Sequence, residues 1–213
     1  MSTKSKQGFF FDLDGTLTNN IQFMLAMYSN FMKELGITHT REEFNKYNGS
    51  PLVVFLKDIK SRADLKLSVE QLQERYFEII EENHNEMKAR SGVIETFNEL
   101  TLKKIPFAII TSSPKHIAKK WICSNIPREL IPPCVTADDV KAGKPSPEPF
   151  LLGMRLLGVT EGYAVEDSEN GVNSAFNAGL KVIQIGEIEE KKLENSWKKT
   201  CTFQEILEVV REF

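Results

Sequence analysis

The sequence predicts an α/β fold, in which a doubly wound parallel sheet carries an inserted helical domain. An apolar segment, GFFF, leads directly into two aspartates near the start of the chain. A helix-rich stretch without a convincing strand follows, from about residue 20 to residue 90. Beyond it, short apolar segments alternate with amphipathic segments up to the last residues. Such alternation is typical of parallel strands that are joined by crossover helices.

The composition excludes several classes of protein. The chain has 213 residues, of which 41% are hydrophobic, enough for one domain with a large insertion or for two unequal domains. Its 27 basic and 30 acidic residues nearly balance, which argues against a nucleic-acid partner. The longest apolar runs are too short to cross a membrane, and the first residues do not resemble a secretory signal. Three cysteines outside any C-x-x-C pair are typical of reduced thiols, so we expect a cytoplasmic protein.

The helix-rich stretch begins with apolar residues at helical spacing from Ile21 to Leu35, and this pattern stops at Gly36. A second long helix is predicted from about Val69 to Lys88. Between the two, NGSPLVVFLKDI predicts a loop followed by a short helix. We therefore expect a helical domain at 20–89, inserted into a core domain that comprises 1–19 and 90–213.

The segments after residue 90 alternate in type. Helices are predicted for SGVIETFNELTLKKI, PKHIAKKWICSN, PEPFLLGMRLLG, NGVNSAFNAG and TFQEILEVVREF, and strands for PFAIIT, PPCVTA, YAVED and LKVIQIG. The charged run EIEEKKLENSWKK is interpreted as a solvated surface. Because ligands of such sheets bind beyond the carboxyl ends of the strands, polar residues at those ends are candidates for function.

Two strand ends carry oxygen-rich side chains. Asp12 and Asp14 follow the first strand, where residues two apart face the same side about 6 to 7 Å from each other. Thr111 and Ser112 follow PFAII and precede a helix, where hydroxyl and backbone N–H groups suit a phosphate. Taken alone, the aspartate pair is equally consistent with an ordinary turn, and the Thr-Ser pair is better explained as a helix cap.

Two further positions complete the pattern. Lys144 lies on a loop that prolines stiffen, and Glu166 and Asp167 end the strand YAVE. Adjacent carboxylates repel each other unless a cation lies close to them. Carboxylates at two strand ends, hydroxyls at a third and a lysine on a loop together predict a site for Mg²⁺ and a phosphate. Four coincidental helix caps at one sheet edge explain the pattern less well.

These segments resemble the motifs of the haloacid dehalogenase superfamily of aspartyl-phosphate hydrolases. The matching motifs are DLDGT at 12–16, ITSS at 110–113, GKPSPEPF at 143–150 and VEDSENG at 165–171, in the order typical of that superfamily. The resemblance implies a Rossmann-like core with an α-helical cap, and the stretch TADDVKAGKPSPEPFLLG looks particularly like sugar-phosphate and polyol-phosphate phosphatases. The substrate would be a small phosphorylated metabolite, such as a sugar phosphate, a polyol phosphate or phosphoglycolate.

The resemblance also implies roles for the candidate residues. Asp12 would be the nucleophile, and the Asp14 side chain would protonate the leaving group and then activate water. Mg²⁺ would bind Asp12, the Asp14 carbonyl and Asp167, with Glu166 as a neighbouring or alternate ligand. Thr111, Ser112 and Lys144 would hold the phosphoryl oxygens.

Substrate choice would rest with the cap loop that contains Gly49, Ser50 and Pro51. Mutases of the superfamily carry a histidine near the position of Met24 and an arginine in the cap loop, and this sequence has neither. A mutase and a catalytically silent binding module stay open as alternatives. The family implies no membrane or nucleic-acid partner and is compatible with a monomer or a homodimer.

Overall fold

The computed structural model describes residues 7–18, 21–47, 52–63, 65–83, 87–186 and 192–213. These residues belong to two compact units, a core unit formed by Met1–Asn19 with Lys88–Phe213 and a helical unit formed by Asn20–Met87. The strands are β1 (Gln7–Phe11), β2 (Phe107–Ile110), β3 (Cys134–Val135), β4 (Glu161–Glu166), β5 (Lys181–Ile185) and β6 (Lys198–Thr200). The helices are α1 (Ile21–Glu34), α2 (Arg41–Tyr47), α3 (Leu52–Ala63), α4 (Val69–Asn83), α5 (Val93–Leu102), α6 (Lys115–Asn125), α7 (Glu148–Leu157), α8 (Glu169–Asn177) and α9 (Phe203–Arg211).

The six strands form one sheet in the order β3-β2-β1-β4-β5-β6. Every neighbouring pair is parallel. The predicted α/β fold with a doubly wound parallel sheet is therefore confirmed. Because β1 lies between β2 and β4, its carboxyl end is the centre of the edge where ligands bind in such sheets.

The three phenylalanines of β1 explain why this strand is central. Successive side chains of a strand point to opposite faces of the sheet. Phe10 contacts Phe150 of α7, with 6.5 Å between ring centroids, whereas Phe11 contacts Phe97 of α5 at 5.2 Å and Phe203 of α9 at 6.2 Å. Helices thus cover both faces, and none of the β1 phenylalanines is accessible to solvent. This burial holds the strand firmly in the sheet.

The helical unit has an aromatic core of its own. Phe31 of α1, Phe55 of α3 and Tyr76 of α4 pack together, with ring centroids 5.2 to 6.2 Å apart. On its surface Arg75 forms ion pairs with Glu34 at 2.8 Å and with Glu78 at 2.8 Å, and the first of these joins α4 to α1. Among the described residues, no helix is both long and apolar enough to cross a membrane.

Several predicted boundaries were wrong. Helix α2 was missed because its seven residues bury one hydrophobic side chain, Phe44, too few to produce a periodic pattern. Helix α3 has 12 residues and is not short. Met87 and Lys88, which the pattern assigned to the helix from Val69, are not helical. Strand β6 was missed because its first two residues, Lys198 and Lys199, belong to the charged run that was interpreted as a solvated surface. Its backbone nevertheless pairs with β5 at the edge of the sheet.

Candidate active site

Asp12 is the first residue after β1, and its two carboxylate oxygens have different surroundings. Its backbone N–H donates to the Val165 carbonyl at 3.0 Å, which continues the pairing of β1 with β4 beyond the end of the strand. The Oδ1 atom accepts a hydrogen bond from Lys144 Nζ at 2.5 Å. The Oδ2 atom is buried and has no hydrogen-bond partner among the described residues. A buried carboxylate oxygen without a partner is costly, so this atom is the natural contact for a cation or a phosphorus centre.

A tight turn from Leu13 to Leu17 carries Asp14. Gly15 has a φ angle of +89°, in the left-handed region, and a Cβ atom at this position would lie 2.0 Å from Asp167 Oδ2. Only glycine allows this close approach. The Gly15 N–H donates to Thr18 Oγ1 at 3.1 Å, and the Thr18 N–H donates to the Leu13 carbonyl at 3.1 Å. Thr16 Oγ1 donates to Asp167 Oδ1 at 3.4 Å, so the turn also contacts the end of β4.

The segment after β2 holds the Asp14 carboxylate. Ser113 Oγ donates to Asp14 Oδ2 at 2.7 Å, and Thr111 Oγ1 lies 3.4 Å from the same oxygen. The Ser113 N–H in turn donates to Thr111 Oγ1 at 3.0 Å. Thr111 and the exposed Ser112 are among the residues predicted from the sequence, whereas Ser113 was missed. The third hydroxyl in the motif TSS was the signal that could have found it.

Lys144 is buried and donates three hydrogen bonds, which is the full capacity of an ammonium group. Its acceptors are Asp12 Oδ1 at 2.5 Å, Glu166 Oε1 at 2.5 Å and the Ile110 carbonyl at 2.9 Å. Lys144 therefore connects the ends of β1, β2 and β4. Burial by itself lowers the pKa of Lys144, but the carboxylates of Asp12 and Glu166 outweigh it, and the net pKa is raised.

Glu166 is inaccessible to solvent, and both of its carboxylate oxygens have protein partners. Oε1 accepts from Lys144, whereas Oε2 accepts from the N–H groups of Asp167 at 3.1 Å and Ser168 at 3.3 Å. A Cβ atom on Gly171 would lie 1.9 Å from this carboxylate, so the first turn of α8 needs a glycine there. In this arrangement Glu166 positions Lys144, and it would have to exchange a partner in order to bind a metal.

Burial also shifts the pKa values of the acidic residues. The pKa of Asp14 rises to about 6, mainly because the carboxyl group is desolvated and secondly because Asp12 is close, while Ser113 opposes the shift. Desolvation, followed by the Asp12 charge, raises the pKa of Glu166 to about 7. The same two causes raise the pKa of Asp167 well above its ordinary value. Four carboxylates thus share a buried site with the ammonium group of Lys144, a negative excess that a divalent cation would neutralise.

The donor set fits a hard divalent cation. Asp12, Glu166 and Asp167 each offer a carboxylate oxygen within 4.8 Å of the others, and Asp12 Oδ2 is buried without a partner among the described residues. Carboxylate and carbonyl oxygens are the ligands that Mg²⁺ and Ca²⁺ prefer. The residues present therefore fit a divalent metal ion.

The structure brings most of the sequence-predicted site residues together. Asp12, Asp14, Thr111, Lys144, Glu166 and Asp167 are joined by the bonds and close approaches described above. Ser112 lies on the same loop as Thr111, with an exposed side chain. The predicted cap-loop residues Gly49, Ser50 and Pro51 lie outside the described residues. The role of each site residue stays a prediction.

A family model and several known proteins match the sequence of this chain. Residues 9–185 match the family model of haloacid dehalogenase-like hydrolases. Hexitol phosphatase A of Escherichia coli is 33% identical over 186 residues, which cover 84% of this chain and 82% of the relative. A phosphorylated carbohydrates phosphatase of Thermotoga maritima is 29% identical, with 81% of this chain and 82% of the relative covered.

A solved structure supports the fold independently. CbbY of Rhodobacter sphaeroides, crystallised with xylulose-1,5-bisphosphate, superposes with a TM-score of 0.82 over 94% of this chain and 96% of that chain, at 21% identity. The match to the family model, over residues 9–185, includes the ends of β1, β2 and β4, where Asp12, Thr111 and Glu166 lie. The chain therefore belongs to the haloacid dehalogenase-like hydrolases, and within that family it is a phosphatase.

Proposed function

We propose that this protein is a Mg²⁺-dependent phosphatase that hydrolyses a small phosphorylated metabolite through an aspartyl-phosphate intermediate. The observation that carries the proposal is the environment of Asp12. Its Oδ1 atom is held by Lys144, whereas the buried Oδ2 atom has no partner among the described residues. A carboxylate that is fixed at one oxygen and unpartnered at the other is well placed to attack phosphorus.

In the first step Asp12 forms a bond to phosphorus, and the bond between phosphorus and the ester oxygen breaks. The departing alkoxide needs a proton, and Asp14, whose pKa is raised to about 6, can supply it. Thr111 and the Ser112 N–H would hold the phosphoryl oxygens, while Lys144 stabilises the negative charge of the site. Asp14 is then a carboxylate, positioned to accept a proton.

In the second step water attacks the phosphorus of the aspartyl phosphate, and Asp14 takes up a proton from that water. The bond between phosphorus and the Asp12 oxygen breaks, which releases inorganic phosphate and restores both carboxyl groups. Mg²⁺, held by Asp12, the Asp14 carbonyl and Asp167, would reduce the repulsion between the attacking carboxylate and the phosphate. The proton balance closes on Asp14 alone, so no further acid is required.

The substrate we propose is a phosphorylated sugar or polyol. The named activities of the Escherichia coli and Thermotoga maritima relatives support this class. A mutase is less favoured, because the sequence lacks the histidine and the cap-loop arginine that mutases of the superfamily carry. A silent binding module is disfavoured because Asp12, Asp14, Lys144 and Asp167 are all retained. The cytoplasmic location, the monomeric or homodimeric state and the two domains with their boundaries stay predictions.

The test is phosphate release from a panel of sugar, polyol and glycolate phosphates, measured with Mg²⁺ and again with EDTA. We expect activity with Mg²⁺, little activity with EDTA and none in Asp12→Asn, which keeps the size of the side chain but removes the nucleophile. Asp138→Asn is a matched control, because Asp138 is exposed and accepts a hydrogen bond from the Lys115 N–H that an asparagine oxygen can replace. Turnover by Asp12→Asn equal to that of the wild type would refute the aspartyl-phosphate mechanism.

A further inference from the structure

Arg90 lies on the segment through which the chain re-enters the core unit. This segment pairs with the one that leaves it, because Ala89 and Thr18 form an antiparallel bridge and the Arg90 N–H donates to the Leu17 carbonyl at 2.8 Å. The Ala89 N–H donates to Asn125 Oδ1 at 3.3 Å, at the end of α6. The backbone of Arg90 is therefore fixed on two sides.

The Arg90 side chain reaches from this anchored segment to the turn that carries Asp14. Its Nη2 atom donates to the Gly15 carbonyl at 2.7 Å, and its Nε atom donates to the Thr18 carbonyl at 3.2 Å. The rigid, planar guanidinium group suits such a pair of acceptors, whereas a lysine offers one point of contact. The side chain is partly buried, which strengthens these charge-assisted bonds.

The turn needs an external support at this point. Gly15 has the left-handed backbone that a residue without a side chain adopts freely, so it does not itself restrict the turn. The bonds within the turn restrain the Gly15 N–H and the Leu13 carbonyl, and Arg90 restrains the Gly15 carbonyl. The Asp14 carboxylate itself is held by Ser113 and Thr111, which lie on the loop after β2.

We propose that Arg90 is a positioning residue that holds the turn after Asp14, and that it thereby aligns the Asp14 carboxyl group with the leaving oxygen of the substrate. This inference rests on the proposed function, in which Asp14 protonates that oxygen. Arg90 acts through the backbone and has no contact with the phosphoryl group in the mechanism. Its loss should therefore impair proton transfer more than phosphate binding.

Leaving-group dependence tests this inference. An alkyl phosphate needs a proton on its departing oxygen, whereas an activated aryl phosphate, such as p-nitrophenyl phosphate, releases a stable anion without one. Because kcat/KM reports on the steps up to the first irreversible one, misalignment of Asp14 should lower it for the alkyl ester and affect the aryl ester much less. In Arg90→Met we expect a loss of about 10- to 100-fold for the alkyl ester, mainly in kcat.

Two comparisons calibrate the result. Asp14→Asn, which removes the acid itself, should lower kcat/KM for the alkyl ester relative to the aryl ester at least as much as Arg90→Met does. Arg90→Lys keeps the charge and one contact, so it should fall between the wild type and Arg90→Met, and it replaces Arg90→Met if that variant does not fold. Lys103→Met is the control, because Lys103 donates to the Arg211 carbonyl at 2.7 Å elsewhere in the core unit. This variant should leave the ratio of kcat/KM for the alkyl ester to kcat/KM for the aryl ester unchanged.

The outcomes separate the two proposals. Equal losses for both esters in Arg90→Met and Arg90→Lys, with Asp14→Asn still selective, would overturn the role of Arg90 and leave the phosphatase mechanism intact. A rise in KM with kcat unchanged would also overturn it, since that pattern indicates lost substrate binding. Undiminished turnover by Asp12→Asn would refute the proposed function, and the inference about Arg90 would fall with it.

Discussion

At the scale of single residues, two opposing influences determine the pKa of the Asp14 carboxyl group. Ser113 and Thr111 bond to its carboxylate, and both bonds lower its pKa. Burial and the Asp12 charge act in the opposite direction and are stronger, so the pKa rises to about 6. A group that must first give and then take a proton works best with a pKa near the working pH. The surroundings of Asp14 therefore suit both steps of the proposed mechanism.

Removal of the Ser113 hydroxyl should change the pH dependence of catalysis. Asp14 must be protonated to act as the acid, so kcat/KM for an alkyl phosphate should fall as the pH rises through its pKa. The Ser113 bond stabilises the ionised form, and Ser113→Ala should therefore raise the pKa further and move this descending limb to higher pH. The measurement is a pH profile of kcat/KM for both proteins, with the exposed Ser124→Ala as the control. A limb that stays in place or moves to lower pH would contradict the role given to Ser113.

At the scale of elements, the site depends on close approaches that only glycine permits. The turn at Gly15 comes so near to Asp167 that a Cβ atom would lie 2.0 Å from its carboxylate. The first turn of α8 approaches Glu166 equally closely at Gly171. These two glycines allow the carboxylates of Asp12, Glu166 and Asp167, at the ends of β1 and β4, to lie close together.

Gly15→Ala should therefore weaken metal binding as well as stability. The new methyl group would displace the Asp167 carboxylate, and we expect the affinity for Mg²⁺ to fall by about 10- to 100-fold, as when other supports of a metal ligand are removed. The control is Gly158→Ala, where φ is also positive, at +64°, but no atom lies within 4 Å of the added Cβ. Both variants add a side chain at a positive φ angle, and only the one at Gly15 meets Asp167, so a larger loss of Mg²⁺ affinity in Gly15→Ala, measured by titration calorimetry, would indicate the contact. Equal affinities in the two variants would refute this explanation.

The sequence predicted the sheet and the grouping of most candidate site residues at one edge of it, because both depend on local patterns. GFFF followed by DLD indicates a buried strand with acidic residues at its end, and the alternation after residue 90 indicates the crossovers. The partners of individual atoms could not be predicted. Which hydroxyl of TSS bonds to Asp14 depends on the path of the loop after β2, and Glu166 bonds to Lys144 because distant segments fold together. Arg90 carries no motif signal, since its role comes from the pairing of two segments far apart in the chain.

At the scale of the whole molecule, the site concentrates negative charge inside the protein. Asp14, Glu166 and Asp167 all have raised pKa values because they are buried close to one another or to Asp12. A raised carboxyl pKa means that the folded protein holds protons that the unfolded chain would release. The associated stability is present below the ordinary carboxyl pKa and is lost as the pH rises through the raised values. These carboxylates therefore destabilise the metal-free protein at neutral pH.

Thermal unfolding with and without Mg²⁺ should reveal this loss of stability. We expect the metal-free protein to be less stable at about pH 8 than at about pH 5, because Asp14 and Glu166, whose pKa values are raised to about 6 and about 7, ionise in between. Mg²⁺ binds the ionised form, so at about a hundredfold excess over its Kd it should raise Tm by roughly 5 to 10 °C at the higher pH and by less at the lower. Asp167→Asn should lose most of this shift. A Tm shift independent of pH would show that the metal binds elsewhere.

The central position of β1 also affects how the protein folds during its synthesis. The strand is synthesised before its partners, because Phe9 pairs with Phe107 on one side and with Tyr163 on the other, and both lie far downstream in the chain. Until then its phenylalanines have neither of their sheet partners, and such distant pairings make folding slow and favour aggregation. The proposed nucleophile, Asp12, is thus synthesised before β4, and its site is complete only when β4 has been added. Incomplete chains should be inactive and should depend on chaperones during synthesis.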